Sequence, residues 1–482
     1  RIDYSILKDH LEGSIYELET IEEYKWNPLW YSVGGAIHDL LARDFAPLSE
    51  RLISVKSRLE LVPRVAAMAK ANLKNPPRVH TETAIIQNRG TIKLIREGLD
   101  EFVSQVPGFD AALAGSREKA AAALEYYVSW LENDLLLESD GDFRLGEEKF
   151  RRKLRYTLGS DITMEEIMKR AEADLLLAQG EMFDTALPLY REYFPGRPTS
   201  ESPEGRGKVI SAVLDKLAET RPTNDTIVDR ARLCLDACAD FVRDNDLVRV
   251  PEEPIELVVM PEFKRGVAVA YCDAPGPLEP TGRSFFAISP APADWAPERA
   301  ESFFKEYNDY MLHDLTIHEA MPGHYLQLAH ANRYRAPTLI RAIFASGPFV
   351  EGWATYSEQL MVETGYGGPE VRMQQLKMRL RMIINAIIDQ KIHTAGMTED
   401  EAMALMIGEG FQEEGEAAGK WRRACLTSTQ LSTYYVGNLE VTEIRSAYES
   451  KHGEAFGLRA FHDELLSFGS PPPRHVRELM GL

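Results

Sequence analysis

Apolar residues recur three and four positions apart through most of residues 1–250, and this helical period resumes at about Pro297 and continues to the C-terminus. Ser116–Asn133, Met164–Phe183 and Val228–Arg243 carry it most clearly. Thr163 followed by Glu166 fits a capping box that opens the second of these helices, and Thr398 with Glu401 fits another after Gly396. Asn75-Pro76-Pro77, Phe194–Pro198 and Ser200–Gly207 mark loops. The period changes at about Pro251. Ile255–Met260, Gly266–Cys272 and Ser284–Ser289 are short, largely apolar, rich in Val, Phe and Ile, and bounded by Pro and Gly, so they read as three strands. The expected fold is mainly α: a large helical two-lobed body with a small β-sheet. Residues 1–250 form one lobe and residues 251–482 the other.

Composition narrows the class. The chain has 482 residues, 27% charged and 44% hydrophobic, which is near the globular average and long enough to bury a sizeable core without disulfides. No apolar run approaches the roughly 20 residues of a membrane span. The 75 acidic and 55 basic residues leave a net charge of −20 with no basic stretch, which argues against nucleic acid or an anionic membrane as partner. Only four cysteines occur, and Cys234 and Cys238 are four apart, neither a redox nor a zinc-knuckle spacing. Such usage suits a reducing compartment, so a cytoplasmic location is the first expectation. A secreted or periplasmic one applies if a leader was removed before Arg1.

The segment His318-Glu319-Ala320-Met321-Pro322-Gly323-His324 carries the chemistry. Two histidines four apart on a helix reach one ion, but these are six apart, which on an unbroken helix means about 240° around the axis and about 9 Å along it. Pro322-Gly323 supplies an interruption. Proline removes a donor and disfavours helix at the preceding residue, and glycine permits an unusual turn. The break can swing His324 back beside His318. Further on, Glu351 and Glu358 are seven apart on a helix expected to start near Phe349, hence on one face. One of the two carboxylates can serve as third ligand and the other can hold an imidazole from outside. Two His and one carboxylate leave a position for water, the arrangement of catalytic zinc, although manganese or cobalt also suit. Glu319 would then be the general base.

His318–Gln327 (HEAMPGHYLQ) and Glu351–Gln359 (EGWATYSEQ) resemble the two signature stretches of the bacterial domain of unknown function 885 family. That family is similar to the all-helical zinc metallopeptidases of the thimet oligopeptidase and angiotensin-converting enzyme kind. The likeness covers most of residues 250–482, with a weaker stretch around Val79–Ala84. It implies a zinc metallopeptidase cleaving short peptides, with residues 1–250 as one wall of a cleft and residues 251–482 as the catalytic lobe. His318, His324 and Glu351 match the metal ligands, and Glu319 matches the base. Tyr434, within Gln430–Gly437, is the candidate oxyanion donor, with Tyr435 as the adjacent alternative. Asp389 and His393 match an Asp-x3-His element in which the aspartate would raise the histidine's pKa and make it a charged donor to substrate. Two departures stand out: Asn385 replaces an arginine four residues before that aspartate, with Arg379 and Arg381 nearby, and Tyr325 replaces a second histidine after the motif.

Lesser candidates are His313, Asp314 as an orienter of His318, His80 and Glu82 as lining of the cleft, and His330 as a packing residue. The strands at 266–272 and 284–289 are expected to offer an edge to an extended peptide. Two other readings use the same residues: a metal-dependent hydrolase of a non-peptide amide or ester, and a non-catalytic binding protein that retains the fold. Glu319 argues against the latter, which has no need of a base.

Overall fold

The computed structural model describes residues 1–260, 269–277, 279, 282–293, 295–335 and 338–482. Helices dominate and a single three-stranded sheet interrupts them among the described residues. Thr163 caps Met164–Tyr193 by accepting from the Glu166 amide, and Thr398 with Glu401 forms a complete capping box.

The chain divides into two compact units, Ser14–Leu145 and a larger one made of Arg1–Gly13 with Gly146–Leu482. A boundary near residue 250 therefore falls inside the larger unit. The physical reason is a shared core: Cys234, Cys238 and Val242 on helix Ile227–Asp244 are buried together with Phe286, Ile317, Phe349 and Trp353. In the smaller unit, Leu48–Asn72 packs along Phe109–Asn133. Leu52, Val55 and Leu59 sit three and four apart on the buried stripe of the first, and each such side chain contributes about 1.5–3 kcal/mol by leaving water.

The larger unit is organised around helix Gly368–Ala395, which packs against Met164–Tyr193, Asp309–Glu319 and Ser432–His452. Every residue from Leu380 to Gln390 is buried, so this helix has no single apolar stripe. Lys377, Arg381, Asn385, Asp389 and His393, spaced by four, form a polar line down it instead. Lys377 Nζ donates to Glu306 at 2.7 Å, and Arg381 pairs with both Glu306 and Glu416. Asp389 accepts from the Thr429 amide at 2.9 Å, and from the Ser432 amide and hydroxyl at 3.0 and 2.7 Å. This line fastens helix Glu414–Leu426 and the start of Ser432–His452 to the centre of the unit.

In the sheet, β1 (Ile255–Val259) runs parallel to β3 (Ser284–Ile288), and β2 (Ala270–Asp273) runs antiparallel to it on the other side. The expected strand over 266–272 thus appears from Ala270, and residues 266–268 lie outside the described residues. β3 is the central strand. The expectation that 284–289 offers an edge is corrected, because its main-chain groups are paired on both sides. β2 is the edge strand that meets the motif helix, as described next.

Candidate metal centre

Helix Asp309–Glu319 opens on Asn308, whose side chain accepts from the amides of Tyr310 and Met311. It stops at Ala320, where Pro322 follows and cannot donate. The chain then turns back on its own carbonyls: the Gly323 amide donates to Ile317 O at 2.9 Å, and a new helix runs His324–Arg333. A Cβ at Gly323 would lie 1.9 Å from His318 O, so only glycine passes there. The Trp353 indole donates to Pro322 O at 2.8 Å and pins the turn from the neighbouring helix. The result is the juxtaposition that the interrupted spacing predicts, with the His318 and His324 rings 4.6 Å apart between centroids.

Helix Gly347–Glu363 brings Glu351. Ser346 caps it, accepting from the Phe349 amide. It crosses Ser432–His452 in backbone contact: a Cβ on Gly352 would meet Gly437 at 2.4 Å, and one on Gly437 would meet Pro348 O at 2.1 Å. This crossing sets how deep both Glu351 and Tyr434 sit. Gly437→Ala is therefore expected to force the two helices apart and to lower stability by about 1–3 kcal/mol, read as a reduced midpoint in denaturant titration at unchanged slope.

Glu351 Oε2 lies 3.5 Å from His318 Nε2 and 3.4 Å from His324 Nε2. The three potential ligand atoms are all within 4.8 Å of one another, the one such grouping of His, Cys, Asp or Glu among the described residues. Ligand atoms on a tetrahedral ion at about 2.0–2.1 Å stand about 3.3–3.4 Å apart, so the two measured spacings already match tetrahedral edges. Burial opposes charge on Glu351, but the two imidazoles outweigh it and hold the carboxyl well below the usual range. Glu358 is the outer partner, with Oε1 2.6 Å from His318 Nδ1. That contact fixes the tautomer that aims Nε2 at Glu351. Of the two carboxylates left open by spacing, Glu351 faces both imidazoles and Glu358 orients one of them. Asp314 does not orient His318. Both its oxygens are buried without a hydrogen-bond partner among the described residues, and burial, with the Glu358 charge next, pushes it well above the carboxylate range.

Glu319, next to His318, points to the sheet. Its Oε2 accepts from the Cys272 amide on β2 at 3.1 Å. Cys272 pairs opposite Phe286 with its main-chain groups turned outward, as the Ser289 amide to Val269 O bond implies by alternation. Tyr434 is half-buried. Its hydroxyl oxygen accepts from Arg423 Nη2 at 3.1 Å and Gln430 Nε2 at 3.5 Å, which leaves its own hydrogen to donate elsewhere. Burial, with the charge of Glu351 second, raises its pKa, which keeps the phenol neutral. Tyr435 points away and donates to Asp174 at 2.6 Å.

His393 is corrected. Its Nε2 faces Ala424 O at 3.0 Å and Thr427 O at 2.9 Å, its ring stacks on Phe150, and burial lowers its pKa despite Asp389. It anchors the end of helix Glu414–Leu426 and is not a charged donor. Asp389 is occupied at the start of the Tyr434 helix, as above. Arg379 pairs with Glu181 at 2.9 Å, so neither it nor Arg381 stands in for the arginine that Asn385 replaces. His313 Nδ1 bonds the Tyr366 hydroxyl at 2.7 Å, His330 Nε2 meets Arg249 O at 2.7 Å, and Tyr325 donates to Glu253 O. In the smaller unit His80 packs against Trp26, and Glu82 pairs with Arg78 at 2.8 Å. Sequence reasoning missed the Cys272 amide and the Trp353 clamp. A backbone amide leaves no sequence signal.

These features define a mainly helical protein with a buried His-His-Glu cluster at a broken helix. The chain belongs to the bacterial protein family of unknown function DUF885, whose model matches residues 1–480. It is similar to a structure from Shewanella oneidensis described as a "putative lipoprotein of unknown function", with 34% identity, a TM-score of 0.83, and coverage of 100% of this chain and 87% of that one. A "putative lipoprotein" from Colwellia psychrerythraea shares the fold at 18% identity and a TM-score of 0.73, covering 90% of this chain and 76% of that one. No curated protein matches the chain. Among the described residues no helix is long and apolar enough to cross a membrane.

Proposed function

We propose that the protein is a zinc-dependent hydrolase, a metallopeptidase acting on short peptides. The observation that carries this reading is the tetrahedral-edge spacing of His318, His324 and Glu351 with Glu319 beside them. A zinc ion held there would supply Lewis acidity, polarising a carbonyl and lowering the pKa of water; manganese or cobalt could serve in its place. Glu319, oriented by the Cys272 amide, takes the proton of the attacking water and returns it to the leaving amine. Tyr434 donates its free hydrogen to the oxyanion that forms as the carbonyl carbon becomes tetrahedral. The outward Cys272 amide of β2 is taken by Glu319, so an extended peptide beside this edge would pair with the remaining outward main-chain groups of the strand. A base so placed is redundant in a scaffold protein, which favours the catalytic reading. Because the Shewanella oneidensis relative is described as a "putative lipoprotein", we propose a location outside the cytoplasm, the secreted or periplasmic alternative raised by the sequence.

The test is elemental analysis of the purified protein together with a peptide-hydrolysis screen before and after chelation. About one zinc per chain, with hydrolysis lost on chelation and restored by zinc, supports the proposal. Absence of metal after reconstitution would remove it. Metal binding with hydrolysis of amides or esters but no peptide would redirect it to the non-peptide reading.

A further inference from the structure

The Asp389-x3-His393 element has no place in the chemistry above, yet both side chains are buried and both close on one turn. That turn joins the end of helix Glu414–Leu426 to the start of helix Ser432–His452. A helix leaves carbonyls without intrahelical partners at its end and amides at its beginning. His393 Nε2 faces Ala424 O at 3.0 Å and Thr427 O at 2.9 Å. Both are acceptors, so this nitrogen carries the ring hydrogen and serves the end of the first helix. The second helix has Leu431 at its cap, whose side chain offers no acceptor. Asp389 supplies one from the neighbouring helix: Oδ1 accepts from the Thr429 amide at 2.9 Å, and Oδ2 from the Ser432 amide and hydroxyl at 3.0 and 2.7 Å. The polarity is right at each end, with acceptors at a helix start and a donor at a helix finish.

Between the two grips lies Thr429 with φ 67°, the one β-branched residue with positive φ among the described residues. Branching at Cβ makes that region costly, so the conformation persists only where neighbours hold it. Thr157 helps Asp389 to do so, its hydroxyl 2.7 Å from Thr429 Oγ1. The two side chains that meet the Tyr434 hydroxyl are each one residue from a gripped atom. Arg423 precedes Ala424 and Gln430 follows Thr429. Arg423 Nη2 donates to Gln430 Oε1 at 2.9 Å, and the two reach the Tyr434 oxygen at 3.1 and 3.5 Å. We infer that Asp389 and His393 are positioning residues, which hold the strained 427–432 turn and through it set where the Tyr434 hydroxyl stands. This hold follows from the contacts themselves; only its catalytic consequence rests on the hydrolase reading.

The test uses the full chain with 3-fluorotyrosine at position 434, followed by fluorine NMR, with steady-state kinetics and zinc content measured on the unlabelled protein. Asp389→Asn leaves one oxygen to serve donors on two sides. It is expected to shift or broaden the Tyr434 resonance and to lower kcat by about 10–100-fold, with KM and zinc content near the wild-type values. In a Tyr434→Phe background the same change should cost nothing further in kcat. Adding Thr429→Gly to Asp389→Asn should restore part of both readings, because glycine adopts φ 67° without being held. Ser432→Ala removes one donor and keeps both backbone grips. It should act in the same direction by less, and it carries the test if Asp389→Asn does not fold. A resonance unmoved by these substitutions overturns the inference. So does a kcat loss of equal size with and without Tyr434, or one that comes with loss of zinc, each the mark of a general structural role. The two readings fail separately: a resonance that moves in a protein without any peptide hydrolysis upholds the positioning and sinks the peptidase. Zinc-dependent hydrolysis with an unmoved resonance does the reverse.

Discussion

Glu319→Gln is expected to lower peptide hydrolysis by roughly 10²–10⁴-fold while leaving metal content near the wild-type value. The argument is local. The Glu319 side chain is not among the three groups whose ligand atoms converge, so its amide analogue removes no ligand. Its Oε2 accepts from the Cys272 amide at 3.1 Å, and the glutamine carbonyl oxygen can take over that bond, so the side chain should keep its position. What is lost is the ability to take a proton. The change should therefore appear mainly in kcat, with substrate affinity little altered. A variant that retains metal and full activity would remove Glu319 as the base. One that loses metal and activity together would place Glu319 among the ligands and require a different proton acceptor.

His324→Ala should abolish stoichiometric zinc and all metal-dependent hydrolysis, and Glu358→Gln should weaken zinc by about 10–100-fold without abolishing it. The difference follows from position. His324 Nε2 stands 3.4 Å from Glu351 Oε2 and is one corner of the site, whereas Glu358 touches only the outer nitrogen of His318, at 2.6 Å. Thermal unfolding gives a readout independent of activity. A ligand that binds only the folded state raises the melting temperature, so zinc should stabilise the wild type and leave His324→Ala unmoved. The surrounding core of Phe349, Trp353 and Ile317 lies outside the cluster and is unchanged by the substitution, so the variant should fold. Zinc retained in His324→Ala would mean that the broken helix is not a ligand-bearing turn.

Much of this was legible in local sequence. A helix advances by a constant angle per residue, so Glu351 and Glu358 had to share a face, and two histidines six apart had to be on different faces unless the helix broke. Pro322 and Gly323 supply that break through their own backbone properties, and Gly323 proves to be required by the 1.9 Å approach to His318 O. The three strands were marked by composition and flanking breakers, and the capping residues Thr163 and Thr398 by side-chain chemistry that acts within one turn.

The rest depended on which distant segments meet. Asp389 and His393 share a helix face, as their spacing says, but that face turns to the carbonyls and amides of residues 424–432 and away from the proposed chemistry. The helix that carries them is buried on all sides, so it shows no amphipathic stripe from which its orientation could be read. The division into units follows a core shared by residues on both sides of position 250, which no local pattern encodes. The sequence by itself determined the helices, the turn that returns His324 to His318, and the residue types able to hold an ion. Only the tertiary structure decided that Glu351 meets both imidazoles while Glu358 holds one from behind, and that Tyr435 turns to Asp174 while Tyr434 meets Arg423 and Gln430. The reason is physical: spacing sets what shares a face within one helix, whereas helix crossings such as Gly352 on Gly437 set which faces meet.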